Sequence, residues 1–360
     1  MTTKDKQLSN VTEDTWIKAT FPEWGNWLNQ SIDREKVLRG HMRLWWLGNM
    51  GIWLKNDEQT NIAIDLWAGT GKQTHDLPDN PPRHQWRRML GAMQTQPNLR
   101  RTPQVFNPFS ITTLDALLVT HYHHDHLDRN VAAAIVNNTA LKTPLIGPQA
   151  VVNQWLAWGV PENRVKVVHP GDSFKVKDIK IEVLPSYDRT ILITDPVGMS
   201  VPDDRQIPDM DERAVAYLLT TSAGTIYHAG DSHYSVNFAD VGIQHAIDIA
   251  LLAFAENPVG VQDKMTSVDI LRAAEALKAK LVVPLHWDVW TNTLGDPNEI
   301  LALYDYRKER FRYQFHPFIW QIGGEFDWPS DRELRVYHYP RGFDDRFSIR
   351  QTYRIAHFCR

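Results

Sequence analysis

His121-Tyr122-His123-His124-Asp125-His126 is the stretch that decides the reading. Four of the chain's 15 histidines fall within these six residues. On an extended segment, side chains two apart point the same way. His121 and His123 can therefore hold one metal ion together. A turn after His124 faces Asp125 and His126 toward a second position. Imidazole and carboxylate donors suit zinc, manganese or iron. The cluster follows the apolar run Leu114-Asp115-Ala116-Leu117-Leu118-Val119-Thr120, a short strand. It precedes a helical segment from Arg129 to Asn138, for which Asp128 is the expected N-cap.

Further out, other metal-ligating side chains follow strands in the same manner. Asp65 ends Asn61-Ile62-Ala63-Ile64-Asp65. Asp188 comes after a strand from Ile179 to Leu184, and Asp231 after a hairpin formed by Ala214 to Leu219 and Thr225 to His228. His286 follows Val282-Val283-Pro284-Leu285. Strand C-termini at one edge of a sheet converge on a shared crevice. The expected metal set is His121, His123, Asp125, His126, Asp188, Asp231 and His286. Asp65 is expected behind it, orienting a ligand histidine through its other ring nitrogen. His228 and His233 flank Asp231 and read either as substrate contacts or as structural hydrogen-bonding groups. Glu256 follows a buried strand and is expected to line the pocket without a role of its own.

The rest of the chain reads as α/β. Thr12 to Ile32 is a helix-rich arm with Thr12 as N-cap. Leu44 to Gly48 and Gly51 to Leu54 are strands around a glycine-bearing turn. Ser267 to Lys278 is an amphipathic helix with Ser267 as the expected cap. The expectation is one compact domain, 1–360, with an N-terminal arm (1–42), an insertion (69–110) carrying a helix from Arg83 to Gln96, and a C-terminal extension (297–360).

His121 to His126 resembles the His-x-His-x-Asp-His signature of the metallo-β-lactamase superfamily, and Asp65, Asp231 and His286 occupy its other motif positions in order. The resemblance implies a four-layer αββα sandwich with a one- or two-metal site at one edge. More specific segments cover nearly the whole chain. They include Thr20-Phe21-Pro22-Glu23-Trp24-Gly25, Gly69-Thr70-Gly71-Lys72-Gln73, Gly230-Asp231-Ser232-His233-Tyr234-Ser235, Asp263-Lys264-Met265-Thr266-Ser267 and Tyr339-Pro340-Arg341-Gly342-Phe343-Asp344-Asp345. In these the chain is similar to the L-ascorbate-6-phosphate lactonase family. That implies a cytoplasmic, manganese-dependent oligomer that opens the lactone of L-ascorbate 6-phosphate to 3-keto-L-gulonate 6-phosphate. The implied chemistry is attack by a hydroxide that the metal generates near neutral pH, held in line by Asp125 or Asp231. Many superfamily members place a histidine as third ligand of the first metal. Here the matching place, Pro185-Ser186-Tyr187-Asp188-Arg189, offers Asp188, with His169 in a nearby turn as the competitor. An aspartate there shifts preference from zinc toward manganese.

A phosphorylated substrate needs cations or backbone N–H groups. Lys72 and Arg189 are the expected substrate-binding residues, with Arg83, Arg87 and Arg88 of the insertion as alternatives. Composition narrows the partners. Hydrophobic residues make up 42% and charged residues 23% of 360, an ordinary balance for a folded chain. A net charge of −4 argues against a nucleic-acid partner, and so against a phosphodiesterase or nuclease on the same scaffold. No apolar run reaches membrane-spanning length, the N-terminal segment lacks a signal-like apolar region, and the lone Cys359 suits a reducing compartment. Fourteen tryptophans are many. Trp16, Trp24, Trp27 and Trp86 fall outside the sandwich strands, which points to a homo-oligomer using the arm or the insertion.

Overall fold

The computed structural model describes residues 7–70, 79, 82, 87, 91, 93, 99–192, 194, 209–257, 262–291 and 293–339. Most of the helix expected over 83–96 (all but residues 87, 91 and 93), Trp86, the motif beyond Tyr339 and Cys359 lie outside the described residues. Two seven-stranded sheets stack face to face with helices on their outer sides. The first sheet runs in the order β14 (Glu325–Trp328), β1 (Met42–Gly48), β2 (Gly51–Asn56), β3 (Asn61–Ile64), β4 (Ala116–Leu118), β5 (Leu145–Gly147), β6 (Val165–Val167). The second runs β13 (His316–Pro317), β12 (Leu281–Leu285), β11 (Ile249–Ala253), β10 (Thr225–His228), β9 (Val215–Thr220), β8 (Ile179–Pro185), β7 (Ser173–Val176). This is the αββα sandwich.

The strand patterns follow from burial. β11 and β12 are parallel neighbours buried at every position, and both are continuous apolar runs. β8 alternates buried and half-buried along its length, as a strand with one face on the core must. The segment 297–339 supplies an edge strand to each sheet: β14 pairs with β1 and β13 with β12. Asp128 caps the helix Arg129–Asn137, accepting from the N–H groups of Asn130 and Val131. The helix Ser267–Ala276 is capped one residue earlier than expected. Thr266 Oγ1 accepts from Asp269 N, and the Asp269 carboxylate accepts from Thr266 N, a reciprocal box that leaves Ser267 as the first helical residue.

The arm folds back on its own chain. Trp16 is buried, with its indole N–H donating to Ala68 O at 2.8 Å, and Trp24 packs edge-on to Trp27. Ile17, Phe21 and Trp27 stay exposed there. Among the described residues no helix is long and apolar enough to cross a membrane.

Chain direction decides where the chemistry collects. β3 and β4 are parallel, as are β10, β11 and β12, and β8 points the same way as β10 through the antiparallel β9 between them. Asp65, His121–His126, Asp188, Asp231 and His286 therefore all leave strand ends at one edge. There the sheets are stitched together by Val215 N donating to Thr120 O and by the bridge between His121 and Ala214.

Candidate metal centre

His121 Nε2 lies 3.0 Å from His123 Nδ1, 3.8 Å from Asp231 Oδ2 and 3.9 Å from Asp188 Oδ2. On the other side, His126 Nε2 lies 3.2 Å from Asp231 Oδ1 and 3.9 Å from Asp125 Oδ2, and His286 Nε2 lies 3.3 Å from Asp125 Oδ2. Asp231 thus stands between two groups of donors: His121, His123 and Asp188, then Asp125, His126 and His286. All seven residues of the expected metal set come together. His169 is exposed in its turn, its N–H on Asp172, and takes no part. His124 is exposed as well.

The donor set fits a cation on chemical grounds. Asp188 Oδ2, Asp231 Oδ1 and His286 Nε2, which stand among the other donors of the set, are buried without a hydrogen-bond partner. Buried polar atoms are normally paired, so lone pairs converging without donors mark a place for a positive ion. The site is also strained toward this shape. Asp65 (φ 50°), Asn49 (φ 54°) and His286 (φ 75°) adopt left-handed backbone, which costs a non-glycine residue about 1–3 kcal/mol each. Gly230 (φ 56°) lets the loop bearing Asp231 approach Thr120; a Cβ there would meet Thr120 Oγ1 at 2.9 Å.

Outer groups aim the imidazoles. Asp65 accepts from Thr120 N and Oγ1 and from His126 Nδ1, at 2.7, 2.6 and 2.9 Å. With its hydroxyl proton spent on Asp65, Thr120 Oγ1 accepts from His121 Nδ1 at 3.0 Å. His123 is held through Nε2 on Thr194 Oγ1. His121 and His126 therefore present Nε2 to the centre, and His123 presents Nδ1. Thr190 donates twice to Asp188 Oδ1 and leaves Oδ2 to the site. Tyr122 and Arg213 clamp the carbonyls of Ile191 and Thr194 from below.

Burial, then the neighbouring His126 and His123, push the His121 imidazole well below its usual range, so it stays neutral as a ligand must. Burial alone would do the same to His126. Without an ion, the carboxylates of Asp231, Asp125 and Asp65 overcome it and hold His126 well above, and an ion among the same carboxylates would take the place of that proton. Burial would raise Asp231, yet His126, Lys264 and His286 keep it well below the carboxylate range.

Two participants were not among the expected site residues, although Lys264 lies in one of the segments that carry the resemblance. Lys264 is 4% exposed, with Nζ 3.0 Å from Asp231 Oδ2 and 3.2 Å from Asp263 Oδ2. Trp290 donates its indole N–H to Asp125 Oδ2 at 2.8 Å. His228 and His233 are structural: the first bonds Met50 O and Gly230 N, the second Gln262 O and Arg189 N. Glu256 is exposed. Arg189 is exposed and lines a separate cleft of about 340 Å³ with Pro185, Tyr187 and Tyr234, which no member of the metal set lines. Arg87 is half-buried, while Lys72, Arg83 and Arg88 lie outside the described residues.

Comparison with known proteins agrees with this geometry. The family described as "Beta-lactamase superfamily domain" matches residues 43–286. A protein of Escherichia fergusonii named probable L-ascorbate-6-phosphate lactonase UlaG is 53% identical over 95% of this chain and 97% of its own length. An Escherichia coli protein of the same name is 52% identical over the same shares. Among solved structures, an isothiocyanate hydrolase from Delia radicum gut bacteria superposes with a TM-score of 0.56 at 17% identity, covering 79% of this chain and 98% of its own. A possible metal-dependent hydrolase from Veillonella parvula gives 0.54 at 16% identity over 79% and 98%. These two speak for the fold alone.

Proposed function

The chain belongs to the metallo-β-lactamase superfamily, in the family of the L-ascorbate-6-phosphate lactonases, and on that premise we propose that it hydrolyses the lactone of L-ascorbate 6-phosphate to 3-keto-L-gulonate 6-phosphate. The carrying observation is the cluster of buried, unpartnered carboxylate and imidazole atoms on either side of Asp231. His121, His123, Asp188 and Asp231 would hold one divalent ion, and Asp125, His126, His286 and Asp231 a second. Such an ion lowers the pKa of a water molecule and polarises the lactone carbonyl. We read it as manganese, because three carboxylates make the donor set rich in oxygen.

Water adds to the lactone carbonyl, the bond from that carbon to the ring oxygen breaks, and the ring oxygen leaves as an alkoxide that needs a proton. Asp125 Oδ1 accepts no hydrogen bond among the described residues, so it can take the proton from the water and pass it to the departing oxygen. Asp231 holds the water in line. The phosphate is assigned to Lys72. Thr70 O accepts from Arg100 N at 2.9 Å, and Arg100 pairs with Trp290, so the chain leading to Lys72 starts beside the centre. Arg189 serves the neighbouring cleft. A phosphorylated, membrane-impermeant substrate places the reaction in the cytoplasm.

The test is lactone opening of L-ascorbate 6-phosphate by purified protein, with chelator and with manganese restored, beside a cyclic phosphodiester. Opening that chelator abolishes and manganese restores is expected. Cleavage of the phosphodiester alone would replace this reading. We also propose a homo-oligomer formed through the exposed Ile17, Phe21 and Trp27 of the arm. Light scattering returning the monomer mass of 41.6 kDa would remove that proposal.

A further inference from the structure

The indole of Trp290 is fixed more firmly than a pocket wall requires. Its backbone is paired with the far end of the insertion: Arg100 bridges Trp290, Arg101 N donates to Val289 O at 2.7 Å, and Thr291 N donates to Leu99 O at 3.1 Å. Its ring packs on Trp67 at 4.6 Å between centroids, and the Arg100 guanidinium lies over that same Trp67 ring at 4.4 Å. Arg100 in turn spends its donors on the carbonyls of Trp67, Leu47, Thr102 and Pro103.

What this assembly holds is one oxygen. Trp290 Nε1 donates to Asp125 Oδ2, the atom 3.3 Å from His286 Nε2 and 3.9 Å from His126 Nε2. The backbone carbonyl of Asp125 is held separately, by Asn49 Nδ2 at 2.7 Å. A carboxylate free to spin about its last bond would present either oxygen, or both, to an ion. Here the indole selects Oδ2.

We propose that Trp290 is a positioning residue for the lactonase reaction: its N–H fixes Asp125 Oδ2 beside His126 and His286 and so reserves Oδ1 for the water and its proton. The proposal rests on the proposed function for its catalytic half and on the donor geometry alone for its metal half. A group that orients a ligand carboxylate acts on both affinity and turnover.

Trp290→Phe keeps a ring against Trp67 and deletes the donor. The expected result is a rise of about 10–100-fold in the manganese dissociation constant of the position formed by Asp125, His126 and His286, measured by chelator competition, and a fall in kcat of about 10–100-fold with KM nearly unchanged. Trp67→Phe, which disturbs the packing and keeps the Trp290 donor, should move neither by more than about threefold on the same argument. Wild-type affinity and kcat in Trp290→Phe would overturn the proposal, as would equal losses in both variants. Should Trp290→Phe fail to fold, the wild-type indole N–H decides. Its ¹H–¹⁵N indole signal, identified by its loss in Trp290→His, should resist exchange with deuterated water and shift when diamagnetic zinc is added to the metal-free protein. Free exchange without a shift would equally end the proposal. Wild-type protein that binds manganese but opens no lactone would sink the functional reading and leave the affinity comparison standing.

Discussion

Two lysines, one at each edge of the sandwich, are equally buried and oppositely used. Lys55 and Lys264 are both 4% exposed. Lys55 sits near the end of β2, away from the metal edge, and donates to the carbonyls of Ile32, Glu35 and Asp33 at 2.9, 2.8 and 3.4 Å. Lys264 sits on the metal edge between the carboxylates of Asp231 and Asp263. Burial, helped by Lys36, pushes the Lys55 ammonium below its usual value. Burial acts the same way on Lys264, but Asp231 and Asp263 overcome it and hold that ammonium above. Partners, not depth, decide what a buried charge does. At one edge polar groups are matched: Lys55 with carbonyls, Asp178 with Thr60 and Asn56, Lys177 with Asp115. At the other edge, atoms of Asp188, Asp231 and His286 are left unmatched. One edge spends its polar groups on stability and the other keeps them for an ion.

The strongest test of that division is Asp231→Asn, which keeps the shape of the side chain and removes the charge shared by both donor groups. Lactone opening should fall by about three orders of magnitude, the several kcal/mol that a bound ion contributes to the transition state. Circular dichroism should be unchanged, because Lys264 retains Asp263. Near-wild-type turnover would mean that Asp231 is as structural as Asp178.

Asp288 sharpens the comparison through pH. Its Oδ1 is buried without a partner, and burial raises its carboxyl to about 7 against the opposing pull of Arg100 and Arg101. A carboxyl raised on folding favours the native state below its unfolded value near 3.8, and that advantage is lost as pH climbs through about 7. Asp288→Asn should therefore match wild type at pH 4 and exceed it at pH 8 by up to about 4 kcal/mol, some three pKa steps of about 1.4 kcal/mol each. Urea melts of metal-free protein at both pH values would check this. A constant difference would show that Asp288 carries no such penalty.

How far the sequence leads follows the same division. The strand-end ligands are legible because alternation in His121–His126 and a terminal acid or histidine after an apolar run are local patterns. The asparagine, lysine and tryptophan that support them are not. Lys264 looks like a surface lysine in a loop; its burial comes from Asn257, whose side chain bonds the N–H groups of Asp263 and Lys264 and the carbonyl of Lys264. Trp290 meets Asp125 across 165 residues of chain. The edge strands β13 and β14 are too short, at two and four residues, to show a period, and gain their identity only by pairing with β12 and β1. The Thr266 cap was within reach, since Asp269 three residues on is the mark of a capping box.

Lys264→Met tests whether the buried cation of the metal edge is functional. The methionine keeps the volume of the stem and drops the charge on Asp231 Oδ2. Turnover should fall about 10–100-fold while manganese content is retained, because Asp231 loses its orienting partner and the ion loses a nearby like charge. Unchanged turnover would make Lys264 a filler like any core side chain.

The smallest effect belongs to Lys55→Met, and it closes the comparison from the other side. The three carbonyls that Lys55 gathers end the helix Trp27–Arg34, where the last turn has no N–H groups of its own to meet them. Methionine fills the same space but leaves those oxygens to whatever water can enter. A cost of about 1–2 kcal/mol follows, below the sum of three lost bonds because the uncharged side chain also escapes the desolvation that Lys55 bears. Urea denaturation should show that loss, while kcat, KM and manganese affinity stay at wild-type values. Register puts Lys55 opposite Asn61, at the start of β3, whereas Asp65 leaves the far end of that strand. If turnover or metal affinity falls along with stability, strain at one edge reaches the other through β2 and β3, and the division between a stable edge and a reactive one is wrong.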